Sequence, residues 1–454
     1  METQYANFFY QMLQPYAHLF RADVVPTFFA LALAWVTTPR AQRTSNFIRT
    51  LGPQTSRHTA TYYRFFAASQ WLADFLALTL FYLVLTILGL HPIIRIAVDD
   101  TQLKHSGKCI FGASIFRDAV LSTKKVVVNR WGLNWVVLSL SLPHPIYPNE
   151  FVSIPLMGRL FLTQEWCEEV ESEYKTPTEL TFEMVAFLYA FTPTHIQWRL
   201  VGDGAYTNQH ILSHALERLH FTGNIRADAC IQKPVEDRPY AGRGPYPKYG
   251  LEYSKPSQMV NDGRRKTQMV TFPAYGGLFV TREVVELLGT YKEIAGERRL
   301  RFVLVKAPKG GTPLFLVTTD LTSPLSEILI DYVSRWSIEV AFREAKQLMG
   351  VEKSQVWSET AVRRMAPFGF WLMGMVKLWY LHLEPKLPKL RLKMPWYQPK
   401  GRASFEQMIG TLRYCIFSSL VSSDEKAQEI SDCFGLPQDP EKKQDWLLRL
   451  FCGC

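Results

Sequence analysis

Two short apolar runs, each ending in aspartate, constrain the fold of this chain more than any other feature. The first is IIRIAVDDT, from Ile93 to Thr101, and the second is HIQWRLVGDG, which reaches Asp203. Both are typical of buried strands with carboxylates at their C-terminal ends. Helical patterns alternate with such strands, as in ELTFEMVAFLYAF from Glu179 to Phe191. The alternation predicts an α/β core, in which ligands bind beyond the carboxyl ends of the strands.

The pattern on either side of this core divides the chain further. Residues 1–90 read as aromatic-rich helices, which are either a DNA-binding helical domain or a helical layer on the core. Residues 221–325 read as a mostly β insertion of short strands, of which IRADACIQ is the first. The predicted core is therefore made of 91–220 and 326–385. Residues 386–454 are expected to form a basic linker and a helical C-terminal region.

A basic stretch near the C-terminus is a candidate for contact with phosphates. Residues 377–402 carry seven Lys/Arg against one Asp/Glu, among Trp379, Tyr380, Trp396 and Tyr397. Cations interleaved with aromatic rings suit a nucleic-acid backbone. The alternative is a basic solvated loop, and the residues alone do not decide between the two.

Composition restricts the class of protein and its partners. The chain has 454 residues, of which 47% are hydrophobic and 20% charged, as in a folded protein. Its net charge of +10 favours an anionic partner, nucleic acid before membrane. The seven cysteines show no CxxC pair, which indicates free thiols in a reducing cytosol. The uncharged segment Phe75–Leu90 is shorter than the ~20 residues of a membrane span, so we expect a buried helix and no membrane partner.

The segment DYVSRWSIEVAFREAKQLMG, residues 331–350, predicts one helix that ends at Gly350. At about 100° per residue, one face of this helix carries Tyr332, Arg335, Glu339 and Lys346, with Arg343 beside them. The opposite face, expected to be buried, carries Ile338, Ala341, Ala345 and Leu348. Taken alone, the polar face is compatible with an ordinary solvated surface whose ion pairs contribute tenths of a kcal/mol each.

Three acidic positions give that face a second interpretation. Asp99 or its neighbour Asp100 ends one strand, Asp203 ends another, and Glu339 lies on the helix. Converging carboxylates make a cradle for Mg²⁺, which prefers oxygen ligands and shares them with phosphates. Because successive side chains of a strand point to opposite faces, Asp99 and Asp100 are alternatives for the first position.

These residues together resemble a DDE transposase of the kind encoded by bacterial insertion sequences. The resemblance lies in Asp-x-Thr after one strand, GDGAY after another, the β insertion, and the pattern Tyr-x2-Arg-x3-Glu-x6-Lys. The residues that meet the last pattern are Tyr332, Arg335, Glu339 and Lys346. The likeness covers about residues 90–350.

The resemblance implies an RNase H-like fold, a mixed α/β sheet flanked by helices and interrupted by the β insertion. It also implies metal-dependent cleavage at the ends of the element, followed by strand transfer into target DNA. The implied catalytic metal ligands are Asp99, Asp203 and Glu339, with Asp99 preferred to Asp100. The implied cofactor is Mg²⁺, as two ions that Mn²⁺ can replace. The expected DNA contacts are Tyr332, Arg335, Lys346, Arg343 and, in the insertion, Lys248.

Further expectations concern partners and end processing. The implied partners are the terminal inverted repeats and target DNA, bound by a dimer, in the bacterial cytoplasm and associated with the nucleoid. Some members of the family hold a flipped base on a tryptophan of the insertion, but this chain has no Trp between Trp198 and Trp336. Either a tyrosine such as Tyr240, Tyr246 or Tyr275 substitutes, or the ends are processed without a hairpin.

Other functions remain open at this point. A catalytically silent DNA-binding relative would share the fold, although all three acids are present. Another metal nuclease would need the carboxylates but would not explain the Tyr-Arg-Glu-Lys spacing, and a membrane protein would need Phe75–Leu90 as its anchor. The cations of DDTQLKHSGK are either DNA contacts or part of a solvated turn, and His105 is not the expected base.

Overall fold

The structure is a computed structural model that describes residues 2–39, 41–52, 57–89, 92–118, 121–123, 125–213, 217–237, 242, 244–308, 311–387 and 401–421. Most of the predicted basic linker and C-terminal region, at 388–400 and 422–454, lies outside these residues, as does Tyr240.

One large mixed sheet organises the described residues. Its strands are β1 (Ile93–Lys104), β2 (Ser114–Arg117), β3 (Asn129–Pro143), β4 (Phe151–Phe161), β5 (Gln197–Gly202), β6 (Leu219–Asn224), β7 (Gln268–Pro273), β8 (Phe279–Thr290), β9 (Arg299–Val305) and β10 (Leu314–Thr318). The order is β2-β3-β1-β5-β6-β10-β9-β8-β7, and β4 pairs beside β2 on β3. Strands β1, β5 and β6 run parallel, whereas β3 and β4 are antiparallel to their neighbours. The predicted mixed α/β sheet is confirmed.

Helices flank this sheet and precede it. They are α1 (Glu2–Leu13), α2 (Val25–Thr37), α3 (Thr44–Leu51), α4 (Thr59–Ala67), α5 (Ala73–Leu88), α6 (Gln164–Glu169), α7 (Pro177–Ala190), α8 (Gln209–Ser213), α9 (Pro256–Met259), α10 (Lys292–Ala295), α11 (Leu325–Ser334), α12 (Trp336–Gln347), α13 (Glu359–Leu383) and α14 (Phe405–Val421). Helix α7 begins with a capping box in which Thr176 and Glu179 exchange hydrogen bonds.

The N-terminal helices form a layer on the core, one of the two predicted alternatives. Helix α13 contacts α1, α4 and α5. Aromatic rings of the N-terminal helices, such as Tyr16 and Phe65, pack against Phe368 and Trp371 of α13. The segment predicted as a buried helix is α5, whose Phe81 stacks on Trp198 of β5. Within the described residues, we find no helix with the length and apolar character needed to cross a membrane.

The strands of the β insertion extend the core sheet. Strand β10 pairs with β6, and β9, β8 and β7 follow outward. Their inner face contributes Val270, Phe272, Val284 and Val303 to a second hydrophobic cluster, in which Leu325, Ile328, Leu329 and Tyr332 of α11 are buried. The insertion therefore supplies much of the surface that holds α11 in place.

Several predicted details are wrong. IRADACIQ forms no strand, although Gln232 makes isolated bridges to Glu252 and Thr290. Lys377 and Trp379 of the predicted phosphate-tracking stretch are buried in α13, because that part of the stretch is a core helix. Strand β1 continues past its predicted end to Lys104, since its pairing with β3 outlasts its pairing with β5.

Candidate active site

Asp99 and Asp203 meet at one edge of the parallel part of the sheet. Strands β1 and β5 pair in register up to Ala97 opposite Val201; Asp99 stands two residues further along β1, and Asp203 directly follows the end of β5. Asp99 lies on the face of Ala97 because side chains alternate along a strand, and Asp203 is close enough for its charge to act on Asp99. Gly202 permits the turn at Asp203, because a Cβ on residue 202 would come within 2.7 Å of the Tyr206 Cβ.

Helix α12 brings Glu339 to the same face through Arg335. The Arg335 Nη1 donates to Asp99 Oδ2 at 3.1 Å, and its Nη2 donates to Glu339 Oε1 at 2.7 Å. The helix is fixed to this face of the sheet by Ser141 of β3, which bonds to the Ser337 hydroxyl and the Ser334 carbonyl. One guanidinium thus bridges the first and third predicted acids.

Charge and burial perturb the acids strongly. Burial raises the pKa of Asp99 to about 7, against the attraction of Arg335, and the charges of Asp203 and Asp100 add to the rise. Burial likewise raises the pKa of Asp100, with Asn134 and Lys346 opposing it and Asp203 adding to it. Carboxylates that influence one another in this way lie close together, which is an arrangement typical of functional sites.

The first acid is distinguished from its neighbour by the side of the sheet it occupies. Asp99 faces α12, whereas the exposed Asp100 accepts a hydrogen bond from Asn134 of β3 at 3.1 Å. The Asp99 Oδ1 also accepts from the Asp100 backbone N–H at 2.9 Å, and Asp203 accepts from the Ala205 N–H at 2.8 Å. Of the two alternatives, Asp99 is the one in contact with Arg335.

The donor set suits a divalent metal, but its arrangement here does not form a metal site. Carboxylate oxygens are what Mg²⁺ prefers. Within the described residues, however, no group of three or more acidic, histidine or cysteine side chains is arranged to hold a metal ion. Arg335 stands between Asp99 and Glu339. Beside the acids, the buried Tyr206 Oη has no hydrogen-bond partner within the described residues.

A buried charge layer below the acids was missed from the sequence. Arg95 of β1 and Arg199 of β5 donate to the two oxygens of Asp331 at 2.7 and 2.8 Å, and Arg95 also holds Glu327 at 2.7 Å. Asp331 is 3% exposed. A signal was present, because an arginine inside an apolar strand needs a buried partner. The layer fixes α11 to β1 and β5.

The predicted exposed position of Tyr332 is wrong. Residues 331–350 form two helices, α11 and α12, which meet at Arg335. Tyr332 lies at the end of α11 and is buried in the cluster formed with the insertion. Burial raises the pKa of its hydroxyl, which Arg335 and Asn224 oppose. The opposite face of α12, predicted to be buried, is buried at Ile338, Ala341 and Ala345, whereas Leu348 is only partly buried.

The remaining predicted contacts lie at different distances from the acids. Lys346 is half-buried, and its charge interacts with those of Glu352, Lys104, Asp118 and Asp100. Arg343 is exposed on α12. Lys248 forms an exposed ion pair with Glu297 within the insertion, at 3.7 Å. The structure therefore brings Lys346 near Asp100, whereas Lys248 pairs within the insertion.

The comparisons with known proteins identify the family. A family profile described as "DDE superfamily endonuclease" matches residues 39–272, a little over half of the chain. This range contains Asp99 and Asp203 and ends before Glu339. Among solved structures, a piggyBac transposase synaptic complex with hairpin DNA matches with a TM-score of 0.40 at 11% identity, covering 92% of this chain and 77% of that one. No curated protein matches the chain. The extent of the profile match shows that the chain belongs to the DDE superfamily of endonucleases.

Proposed function

We propose that this protein is a DNA transposase, which cleaves the ends of an insertion sequence and transfers them into target DNA. One observation carries the proposal. Asp99 and Asp203 share a face at the carboxyl ends of neighbouring parallel strands, and the helix that bears Glu339 covers that face. In a member of the DDE superfamily of endonucleases, this is the constellation that a nuclease site requires.

Asp99, Asp203 and Glu339 are the proposed metal ligands. The position of Asp99 towards α12 supports it over Asp100. The proposed cofactor is Mg²⁺, as two ions that Mn²⁺ can replace, and bound ions would stabilise charge on the attacking and leaving oxygens of a phosphoryl transfer. Tyr206 lies close to these acids, since burial and the charges of Asp100, Asp99 and Asp203 raise the pKa of its hydroxyl.

Arg335 and Lys346 are the proposed phosphate contacts nearest to the acids, with Arg343 further along the exposed surface of α12. A guanidinium can engage two phosphate oxygens, which favours Arg335 for the phosphate next to the cleaved bond. Burial of Tyr332 does not support base stacking, so its proposed role is to orient Arg335. Lys248 is proposed to touch the DNA backbone from the insertion.

The proposal includes partners and a location. The terminal inverted repeats and the target would be the bound DNA. Because two ends must be joined in one reaction, at least a dimer would assemble on DNA. The net charge of +10 supports an association with DNA, and the bacterial cytoplasm is the proposed location.

The test is metal-dependent cleavage and joining of the DNA that borders the gene. Wild type is compared with Glu339→Gln, and with Glu359→Gln as a control, since Glu359 is an exposed acid paired with Arg363 on α13. We expect cleavage at discrete ends and joined products with wild type and with the control, but neither with Glu339→Gln. Binding to the ends without cleavage in Mg²⁺ or Mn²⁺ would reject the proposal and identify a catalytically silent DNA-binding relative.

A further inference from the structure

The candidate site is the upper of two layers of charged side chains. The central residue from the helix is an acid in the lower layer and a cation in the upper layer. In the lower layer, Asp331 of α11 lies between two cations, Arg95 and Arg199. Four residues further along each of these elements come Asp99, Asp203 and Arg335. The upper layer therefore sets a cation of the helix against two acids of the strands.

The two layers differ at their central side chain. In the lower layer Asp331 is 4% exposed, and each of its oxygens has an arginine partner. In the upper layer Arg335 is 13% exposed and is held by two carboxylates, one of which, Glu339, is 33% exposed. The Arg335 guanidinium uses both Nη groups on carboxylates, and it also interacts with the Tyr332 side chain.

We propose that Arg335 is the resident counter-ion of the acidic site, and that it competes with a divalent cation for Asp99 and Glu339. DNA relieves the competition, because a phosphate group draws the guanidinium away from the carboxylates. Metal and DNA then bind cooperatively. This inference rests on the proposed function for its DNA step, but its metal step concerns the protein alone.

A cation between these acids offsets the repulsion between their charges. Burial and mutual repulsion disfavour ionised carboxylates, so some positive charge must be present while they are charged. In this structure that charge is the Arg335 guanidinium, which already touches two of the three carboxylates that a metal would bridge. A metal ion cannot take those oxygens while Arg335 holds them. A phosphate is a suitable alternative partner, since it pairs with guanidinium through two parallel hydrogen bonds.

The test measures Mn²⁺ affinity by calorimetry without DNA, for wild type and Arg335→Gln. We expect Arg335→Gln to bind Mn²⁺ about tenfold or more tightly, as for the loss of a competing charge-assisted contact. The matched control is Arg363→Gln, because Arg363 also pairs with a glutamate four residues away, at 2.9 Å, on α13. The control should bind Mn²⁺ as wild type does. Equal affinities in wild type and Arg335→Gln would overturn the proposal.

Two further arms keep the test decisive. Arg335→Lys retains the charge but cannot reach both carboxylates through separate nitrogens, so its Mn²⁺ affinity should fall between the other two. It also serves if Arg335→Gln fails to fold, and an affinity equal to that of wild type would then contradict the inference. Adding a short DNA duplex should raise the Mn²⁺ affinity of wild type and change that of Arg335→Gln much less. A protein that binds no DNA would fail the proposed function yet leave the comparison without DNA intact.

Discussion

At the scale of single residues, one step along β1 separates the proposed metal ligand Asp99 from its neighbour Asp100. Asp99→Asn should abolish metal-dependent cleavage, because this side chain faces α12 and Arg335. Asp100→Asn should retain most of the activity, since Asp100 points to the other side of the strand, where it bonds to Asn134. Single-turnover cleavage of end DNA in Mg²⁺ measures both. If Asp100→Asn were the inactive variant, Asp100 and not Asp99 would be the first metal ligand.

The pKa of Asp99 predicts a pH-dependent stability. Burial raises this pKa from 3.8 to about 7, although Arg335 lowers it. A carboxyl whose pKa is higher in the folded state than in the unfolded state stabilises the protein less once it ionises. The free energy of unfolding therefore falls as pH rises from 3.8 to about 7. Without metal, Asp99→Asn should therefore be more stable than wild type above neutral pH, by at most on the order of 4 kcal/mol.

Chemical denaturation with a metal chelator, at acid and at alkaline pH, measures this difference in unfolding free energy. The difference should disappear at a pH near 3.8, the lower of the two pKa values. Asp228→Asn is the control with the opposite sign, because hydrogen bonding to Arg226 lowers the pKa of Asp228. A constant difference between wild type and Asp99→Asn at all pH values would contradict the prediction.

The spacing of the sequence pattern predicted that Arg335 and Glu339 lie together, but it did not predict which side chains surround them. Arg335 and Glu339 lie one turn apart on any helix, so their proximity follows from the sequence alone. The burial of Tyr332 does not, because it depends on strands of the insertion that are distant along the chain. Similarly, strand alternation says that Asp99 and Asp100 differ, but the helix that covers one face must be seen to choose between them.

At the scale of elements, the junction of α11 and α12 depends on the buried charge layer. Asp331→Ala should cost about 3–5 kcal/mol of unfolding free energy, because it leaves Arg95 and Arg199 buried without their main partner. Asp23→Ala is the control, since Asp23 and Arg21 are an exposed pair and should cost less than about 1 kcal/mol. Urea denaturation measures both, and similar small losses would show that the layer contributes little.

Helix α12 is also fixed from its other side. Lys377 of α13 is buried, and its Nζ lies 2.8 Å from Glu344 of α12 and 2.9 Å from the Ser153 carbonyl. Glu344→Gln should destabilise the protein by about 3 kcal/mol, because it leaves a buried cation without its counter-charge. The double variant Glu344→Gln with Lys377→Met should recover most of that loss. A double variant as unstable as the single one would show that packing, not charge, holds the helices.

Elements whose own residues carry a clear signal were predicted well, whereas one predicted strand, IRADACIQ, did not form. The uncharged run of α5 and the capped start of α7 contain their own signals. IRADACIQ has the composition of a strand, but a strand forms only where a neighbour offers a ladder of hydrogen bonds. Lys377 was assigned to a basic surface because a buried lysine cannot be recognised until its partner Glu344 is known.

At the scale of the whole molecule, two separate hydrophobic clusters stabilise different elements. The larger cluster joins the N-terminal helices, α13 and the core strands, whereas the smaller one joins the insertion strands to α11. The candidate site lies at their boundary, because Asp99 comes from a strand of the first and Arg335 follows the helix enclosed by the second. The insertion therefore influences the site through α11 even where it does not touch the acids.

This division predicts local effects of core substitutions on backbone hydrogen exchange. Phe272→Ala opens the smaller cluster at β7, an edge strand, so amides of α11 should exchange faster while those of α13 keep their protection. Phe65→Ala, in the larger cluster, should give the reverse pattern. If either substitution accelerates exchange equally in both helices, the clusters open as one cooperative unit. Separate opening would mean that the insertion can release α11, and with it Arg335, while the strands that carry Asp99 and Asp203 stay folded.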